Sequence, residues 1–577
     1  MQNLLPPLSL STAVLQSKAA YLVHHDDEQH FGEDPQGGEA VLVYSALCDA
    51  MESSLVAVEA VFVRGFSGLA LIGNATEVSR NGVERARSAL ERLGITVPDR
   101  KIVVSLSPAE LKKDGSQFDL AFALCIAQLL TKSPPAIAGH RWLFAAELSL
   151  NGNLRPVRNI ASFALTAITS GLEGIVIAHD NLPEVREVLR VGKSSLREIT
   201  VLSFATLGEI WHWLLSGISL PAYQDKGHSS HYRQQQQQGR EALSPQGLNF
   251  DDMELSPELE LAATVLAAGL HSMLLYGAPG TGKSMFANRV TSIFPLMDEA
   301  THLEALRIHS AVAENLAPSL LAGQPPLRSP HHQCSAPALM GVPEVPGEIS
   351  LAHGGVLFLD EFPEFRRDLI EALREPLEIG SVRVSRAKRK VVWKAEVTLV
   401  AACNLCPCGW FGSELRHCTC PLQKILSYRR KISGPILDRL DLHINTPEQE
   451  GQKSRLFSAL LSSPGPSKRM REVVLQARER SRKRNQGFGV LYNRDLAAKH
   501  LLSASGLAES VFMSWVDALF PRSSSNRGTV KALKVARSIA DIAGREVLHR
   551  ADIEQAVKWQ AHSAAQARGE QALGLCD

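Results

Sequence analysis

The octapeptide Gly277-Ala278-Pro279-Gly280-Thr281-Gly282-Lys283-Ser284 fits the pattern G-x-x-x-x-G-K-[ST]. Glycines at these places let backbone N–H groups turn toward one point, and a following helix directs its positive end there, an arrangement suited to phosphate. Lys283 would reach the β- and γ-phosphates of a nucleotide, and Ser284 would give its hydroxyl to Mg²⁺. A strand-like run, Met273-Leu274-Leu275-Tyr276, leads in, and a helix-like run from Met285 to Val290 leads out. That context separates the loop from a chance glycine-rich turn and makes ATP with Mg²⁺ the expected cofactor.

About 75 residues after Lys283, the apolar run Gly355-Val356-Leu357-Phe358-Leu359 ends in Asp360-Glu361. Asp360 would organise the Mg²⁺ shell and Glu361 would polarise the attacking water. Alone, the string would read equally as an acidic helix cap; its distance from the phosphate loop favours the chemistry. A third strand, Val397 to Ala402, leads to Asn404, which could orient that water near the γ-phosphate. Arg439, within Ser433-Gly434-Pro435-Ile436-Leu437-Asp438-Arg439-Leu440-Asp441, is a candidate for stabilising transition-state charge from a neighbouring subunit. An ion pair with Asp438 or Asp441 is the alternative. Arg527 stands at the entry of a long helix, Val530 to Ala543, and could touch the γ-phosphate of its own subunit; Arg537 lies deeper in that helix. A surface role is the alternative for both.

Between the second and third strands, Ser381 to Lys394 alternates β-branched and aromatic residues with Arg383, Arg386, Lys388, Arg389, Lys390 and Lys394. Two strands joined around Arg386-Ala387-Lys388 would make a basic hairpin suited to phosphate backbones, or else a solvated edge that discourages aggregation. Of nine cysteines, five lie between Cys403 and Cys420. Cys406, Cys408, Cys418 and Cys420 form two C-x-C pairs, and four thiolates from two turns could close a structural Zn²⁺ site. Free thiols or a redox pair are the alternatives, His417 is a substitute ligand, and Cys403 is expected to be buried in its strand. Arg328, His331 and His332 read as structural or interface-forming, since adjacent histidines rarely converge on one ion.

These residues need several elements to position them. The 577 residues suggest two to four domains; the net charge of +1 shows no global basic excess, so a nucleic-acid site must be local. No run of about 18 apolar residues suggests a membrane span, and the N-terminus lacks the basic start of a signal peptide. Clustered cysteines in such a chain favour metal over disulfides and a reducing cytoplasm. Residues 1–38 read as a disordered tail. Residues 39–215 alternate strand and helix patterns, among them LVAVEAVFV, LALIG, KIVVSLS and GIVIA, and form an α/β domain. Residues 216–249 form a polar, glutamine-rich linker, 250–447 the nucleotide core, and 448–577 a helical lid domain.

Taken together, the phosphate loop, the Asp360-Glu361 strand, RSPHH (328–332), ALREPLEIG (372–380), SGPILDRLDLHI (433–444) and KVARSIADIAG (534–544) resemble the magnesium-chelatase-like AAA+ ATPases and, within them, the ComM/YifB family. The resemblance extends to residues 84–124 and to AAELSLNGNLRPV (145–157), which are similar to that family's Lon-protease-like domain. It implies a ribosomal S5 domain 2-like N-terminal fold, an AAA+ P-loop core with a parallel sheet and a C-terminal α-helical lid. It further implies a homo-oligomeric ring, hexameric in relatives, with Asn404 as sensor 1, Arg439 as a trans-acting finger and Arg527 as a cis sensor 2. By the same resemblance, the ring would act on single-stranded or branched DNA as a branch-migration motor of natural transformation, with the basic hairpin in its pore. Two departures stand out. Gly73-Asn74-Ala75 replaces the family's GLP string, and MELSPELELAA (253–263) replaces a Gly-Gln and basic residue before the phosphate loop.

Lon-type proteases carry serine after D-G-P. Here Asp114-Gly115-Ser116-Gln117 puts Gln117 at that position and Ser116 one residue early. The domain therefore reads as non-proteolytic, with Lys112 and Lys113 in a solvated or nucleic-acid-facing loop. A chelatase-type motor remodelling a metal-insertion partner, and an ATP-dependent protease, are the competing functions.

Overall fold

A computed structural model describes residues 40–217, 247–446 and 466–568, apart from 132–134, 138, 195, 387–388, 414 and 521–524. The expected tail, all but the ends of the linker, and the start of the lid segment lie outside the described residues, as does Lys388.

In the N-terminal domain, β1 (Val41–Asp49) and β2 (Glu52–Val63) make a long antiparallel pair. With β3 (Gly68–Ile72), β4 (Lys101–Ser107), β5 (Trp142–Ala145), β6 (Gly174–Ala178) and β7 (Thr200–Phe204) they form a seven-stranded sheet in the order β3-β4-β2-β1-β5-β6-β7. From β1 through β5 and β6 to β7 the pairing is parallel. Helices α1 (Glu77–Arg92) and α2 (Asp119–Leu130) pack together. α2 is apolar nearly all round and buries every residue from Asp119 to Ala127, as a helix enclosed by a sheet and a second helix must.

Asp119 enters this core with Arg85, which donates from Nε at 2.6 Å and Nη2 at 3.0 Å; burial still lifts the carboxyl to about 6. Lys113 departs from the expected solvated loop. Its side chain is buried, its Nζ meets no hydrogen-bond partner among the described residues, and burial pushes the amine below its ordinary value. The reason is local: the backbone of Lys113 is stitched to Asn74 and Thr76 and accepts from Ser79 Oγ, which draws the residue under α1.

The C-terminal half is built on a five-stranded sheet, parallel throughout, in the order β9 (Leu327–Arg328), β10 (Val356–Leu359), β13 (Thr398–Cys403), β8 (Met273–Tyr276), β14 (Leu442–Asn445). Every residue of β8, β10 and β13 is buried, which is why these strands read as continuous apolar runs. One face packs on α6 (Pro257–Gly269), α7 (Lys283–Arg289) and the lid helices α10 (Pro466–Asn485), α11 (Asn526–Ile542) and α12 (Arg550–Arg568), through Phe250, Leu266, Val290, Val474, Ala536 and Trp559. The other face packs on Phe362, Leu369, Val382 and Ile436.

The halves share a core. In α8 (Glu299–Ser310) and the short helix Pro318–Leu321, Ala305, Leu306 and Leu320 join Leu143, Ile160, Phe163, Ile175 and Val185 of the N-terminal domain in one apolar cluster. α8 touches both α3 (Ile160–Thr169) and α4 (Leu182–Val191).

Candidate nucleotide site and metal centre

The phosphate loop joins β8 to α7 at the carboxyl end of the sheet, where ligands of open α/β sheets gather. Gly280 and Gly282 both sit at φ +82°, a left-handed conformation that glycine adopts without strain. Thr281 Oγ1 donates to the Ala278 carbonyl and meets Thr446 Oγ1 at 2.8 Å, which ties the loop to the end of β14. Lys283 Nζ donates to the carbonyls of Gly277 (2.9 Å) and Ala278 (2.7 Å), and burial pulls its pKa down. The amine is thus held inside the loop by two of the loop's own carbonyls. Pro279 lies against the cysteine-bearing loop, where a Cβ on Gly409 would come within 2.5 Å of its ring and 3.8 Å of Asn404 Cγ. The altered segment before the loop is here too: a Cβ on Gly282 would come within 3.1 Å of Met253, and Asp252 clasps Arg289 of α7.

Asp360 and Glu361 follow β10, and Ser284 Oγ donates to Asp360 Oδ2 at 2.6 Å. A hydroxyl and a carboxylate at this distance make a hard oxygen donor pair that fits Mg²⁺. Asp360 Oδ1 accepts from the Glu361 amide. Glu361 itself adopts φ +50°, and its carboxylate, exposed to solvent, lies 3.3 Å from His332 Nδ1. The sequence reading of His332, structural or interface-forming, does not name this contact. The usable signal was the offset from the paired strands, hidden by the two-residue length of β9.

Arg439 and Arg527 are brought together on a third residue. Both donate to the Glu378 carboxylate, Arg527 at 2.9 Å, and Arg439 also donates to the Pro435 carbonyl. The pair holds the Glu378 carboxyl below its ordinary value, Arg439 contributing most. Arg439 pairs with neither Asp438 nor Asp441, the alternatives raised by the sequence; Asp441 instead meets Lys531, His271 and the Ser272 amide. Arg537 is buried, donating to the carbonyls of Ala504 and Glu546 and to Asp541.

The four paired cysteines converge. Cys406, Cys408 and Cys418 Sγ atoms are 3.3–3.6 Å apart, and those of all four lie within 4.8 Å of one another. Tetrahedral Zn–S bonds of about 2.3 Å imply S···S edges of about 3.8 Å, so the quartet fits zinc and needs no part of His417. The Trp410 amide is the chief cause holding the Cys408 thiol down to about 6. Cys403 is buried, and burial pushes its thiol up to about 12.

The basic hairpin pairs β11 (Ser381–Arg386) with β12 (Arg389–Lys394) antiparallel, Arg386 opposite Arg389. Val382, Val391 and Trp393 face inward while Arg383, Arg386 and Lys390 are exposed. Arg389 is engaged, pairing with Asp49 at the β1–β2 turn and with Glu344.

In the N-terminal domain, Gln117 is buried and donates to the Asp114 carbonyl at 2.9 Å, so it caps its own turn.

Three family models match the chain: "Magnesium chelatase, subunit ChlI" over residues 250–454, "Subunit ChlI of Mg-chelatase" over 58–181, and "Magnesium chelatase, subunit ChlI C-terminal" over 465–560. Competence protein ComM of Haemophilus influenzae is 33% identical over 533 residues, covering 90% of this chain and 97% of that protein. The uncharacterized protein YifB of Escherichia coli is 33% identical over 531 residues, with the same shares. A Lon protease of Methanosphaera stadtmanae is 22% identical over 214 residues, 36% of this chain and 25% of that protein.

Proposed function

Because the chain belongs to the ComM/YifB family of magnesium-chelatase-like AAA+ ATPases, we propose that it is a ring-forming motor that hydrolyses ATP and acts on DNA. The observation that carries the reading is the Ser284–Asp360 hydrogen bond, an oxygen donor pair suited to Mg²⁺ and near Lys283. Bound Mg²⁺ would neutralise phosphate charge. Lys283 would exchange its loop carbonyls for the β- and γ-phosphates, Glu361 would accept the proton of the attacking water, and Asn404 would orient that water. Arg439 is assigned to the γ-phosphate of a neighbouring copy and Arg527 to that of its own subunit; their shared hold on the Glu378 carboxylate supports treating the two as one cluster.

DNA as substrate is supported by a relative named a competence protein and by the exposed Arg383, Arg386 and Lys390 on the hairpin. The test is ATP turnover with and without forked or single-stranded DNA. Stimulation by DNA supports the reading; stimulation only by a metal-insertion partner transfers it to a chelatase-type motor.

The cysteine quartet is assigned to one structural zinc ion. Metal analysis of the purified protein should find about one zinc per chain, lost when Cys406 and Cys408 become serine; a metal-free protein that folds normally rejects the assignment.

A further inference from the structure

The chain leaves β2 at Val63 and enters β3 at Gly68 through Arg64-Gly65-Phe66-Ser67. Gly65 and Gly68 take φ +148° and +143°, which glycine adopts most readily, so the backbone turns on both sides of Phe66. The Phe66 ring is 98% exposed. A phenylalanine left in water forgoes the stabilisation that burial gives. The turn is also uncrowded: β3 is the edge of its sheet, and a Cβ on Gly68 would meet no atom within 4 Å.

Cations flank the ring. Arg64 precedes it and is exposed. Lys101 lies opposite both Val63 and Gly68 in the sheet, at the base of the loop. Its Cδ is 3.0 Å from where a Cβ on Gly65 would stand. Arg100 accepts the Gly68 amide on its carbonyl and lays its guanidinium 4.3 Å from the centroid of the Phe62 ring. Among the described residues none of the three cations is in an ion pair; Asp99 is the acid that accompanies them in sequence. This tip is separate from the basic hairpin. Arg389 of the hairpin pairs with Asp49, at the opposite end of β2, and the 12 residues of that strand at about 3.3 Å each carry the tip about 40 Å from that contact.

We propose that Phe66 is a base-stacking platform for single-stranded DNA, with Arg64, Arg100 and Lys101 neutralising the adjacent phosphates. Every base offers a π-face to an exposed ring, and neighbouring cations attract the backbone that carries it. A bilayer would require more apolar area than one ring beside a partly covered Val63. The proposal rests on the reading of DNA as the substrate and adds a second contact to it.

The test is binding of a fluorescent single-stranded oligonucleotide to the full chain, read by anisotropy. Because the ring is exposed, its substitution leaves the core untouched. Phe66→Ala, and Phe66→Leu, which keeps apolar bulk without a π-face, are each expected to raise Kd about 5- to 100-fold, the range of one lost stack. Phe66→Trp should bind at least as tightly as the parent. Arg64→Gln with Arg100→Gln should lower the salt slope by about 1.4, at about 0.7 per phosphate, whereas Phe66→Leu should leave the slope unchanged. The proposal is overturned if Phe66→Leu binds as tightly as the parent. It is overturned if Phe66→Ala lowers affinity only by breaking up the assembly, read by sedimentation, which would make the tip a contact between copies. It is overturned too if Phe66→Ala releases the protein from phosphatidylserine vesicles while DNA binding holds. A parent that binds no single strand removes the DNA reading and this proposal together. Binding lost on neutralising Arg383, Arg386 and Lys390 but untouched by the Phe66 variants removes only this proposal.

Discussion

Lys113, in a loop, and Lys283, the first residue of α7, are both buried lysines, and their surroundings differ. Lys283 Nζ donates to two carbonyls of a glycine-rich loop, near the Asp360 carboxylate that Ser284 Oγ meets. Lys113 Nζ meets no partner among the described residues, and the turn that follows it holds a buried glutamine where a Lon-type protease carries serine. Burial lowers the pKa of both amines. In the nucleotide site proposed above a phosphate would recover that cost; beside Lys113 the charge of Glu110 offsets it only in part. The contrast teaches that a buried charge signals function only when its neighbours can complete a reaction.

The largest test of that contrast is Lys283→Ala, expected to lower ATP turnover by about 10²–10³-fold or more, while Lys113→Ala stays within about 2-fold; equal losses would dissolve the distinction. Next, Glu361→Gln should lower hydrolysis by about 10²-fold yet still bind nucleotide, as a fluorescent ATP analogue would report. Neutralising the exposed Arg383, Arg386 and Lys390 together should weaken DNA binding about 10-fold at fixed salt and reduce the salt slope by about 2, from about 0.7 per phosphate lost. No change would move DNA contact away from the hairpin. Smallest is Lys113→Met, expected to stabilise the fold by about 1 kcal/mol at pH 7 by removing a buried donor without a partner. The folded pKa of Lys113 is lowered, so between that value and the ordinary lysine value the unfolded chain binds more protons, and parent stability rises with pH. The gain from Lys113→Met should therefore shrink toward pH 10, which denaturant titrations at two pH values would read.

Chemistry that depends on local spacing is legible in the sequence. The loop from Gly277 to Ser284, the Asp360-Glu361 pair and the C-x-C pairs each declare themselves within a few residues, because one turn or one strand end positions them. Residues that meet only through tertiary packing are not. Glu378 lies 61 positions from Arg439 and 149 from Arg527, and nothing in ALREPLEIG announces a carboxylate shared by two arginines. The hairpin is readable from its alternation, but Arg389 finds Asp49 across 340 positions. Lys113, beside Lys112, reads as solvated until its backbone ties to Asn74 and Thr76 are known. The sheet order was beyond reach for the same reason: β1 pairs with β5 across about 100 residues.

The apolar cluster shared by the two halves bears on how this protein can be taken apart or inherited. A chain begun at residue 250 would expose Ala305, Leu306 and Leu320 to water, each leucine at about 1.5–3 kcal/mol. The nucleotide core is therefore not a freely portable cassette. Exchange between relatives should keep α8 and the N-terminal sheet from one parent, and crossovers tolerated in the linker would have to preserve that match rather than merely the reading frame.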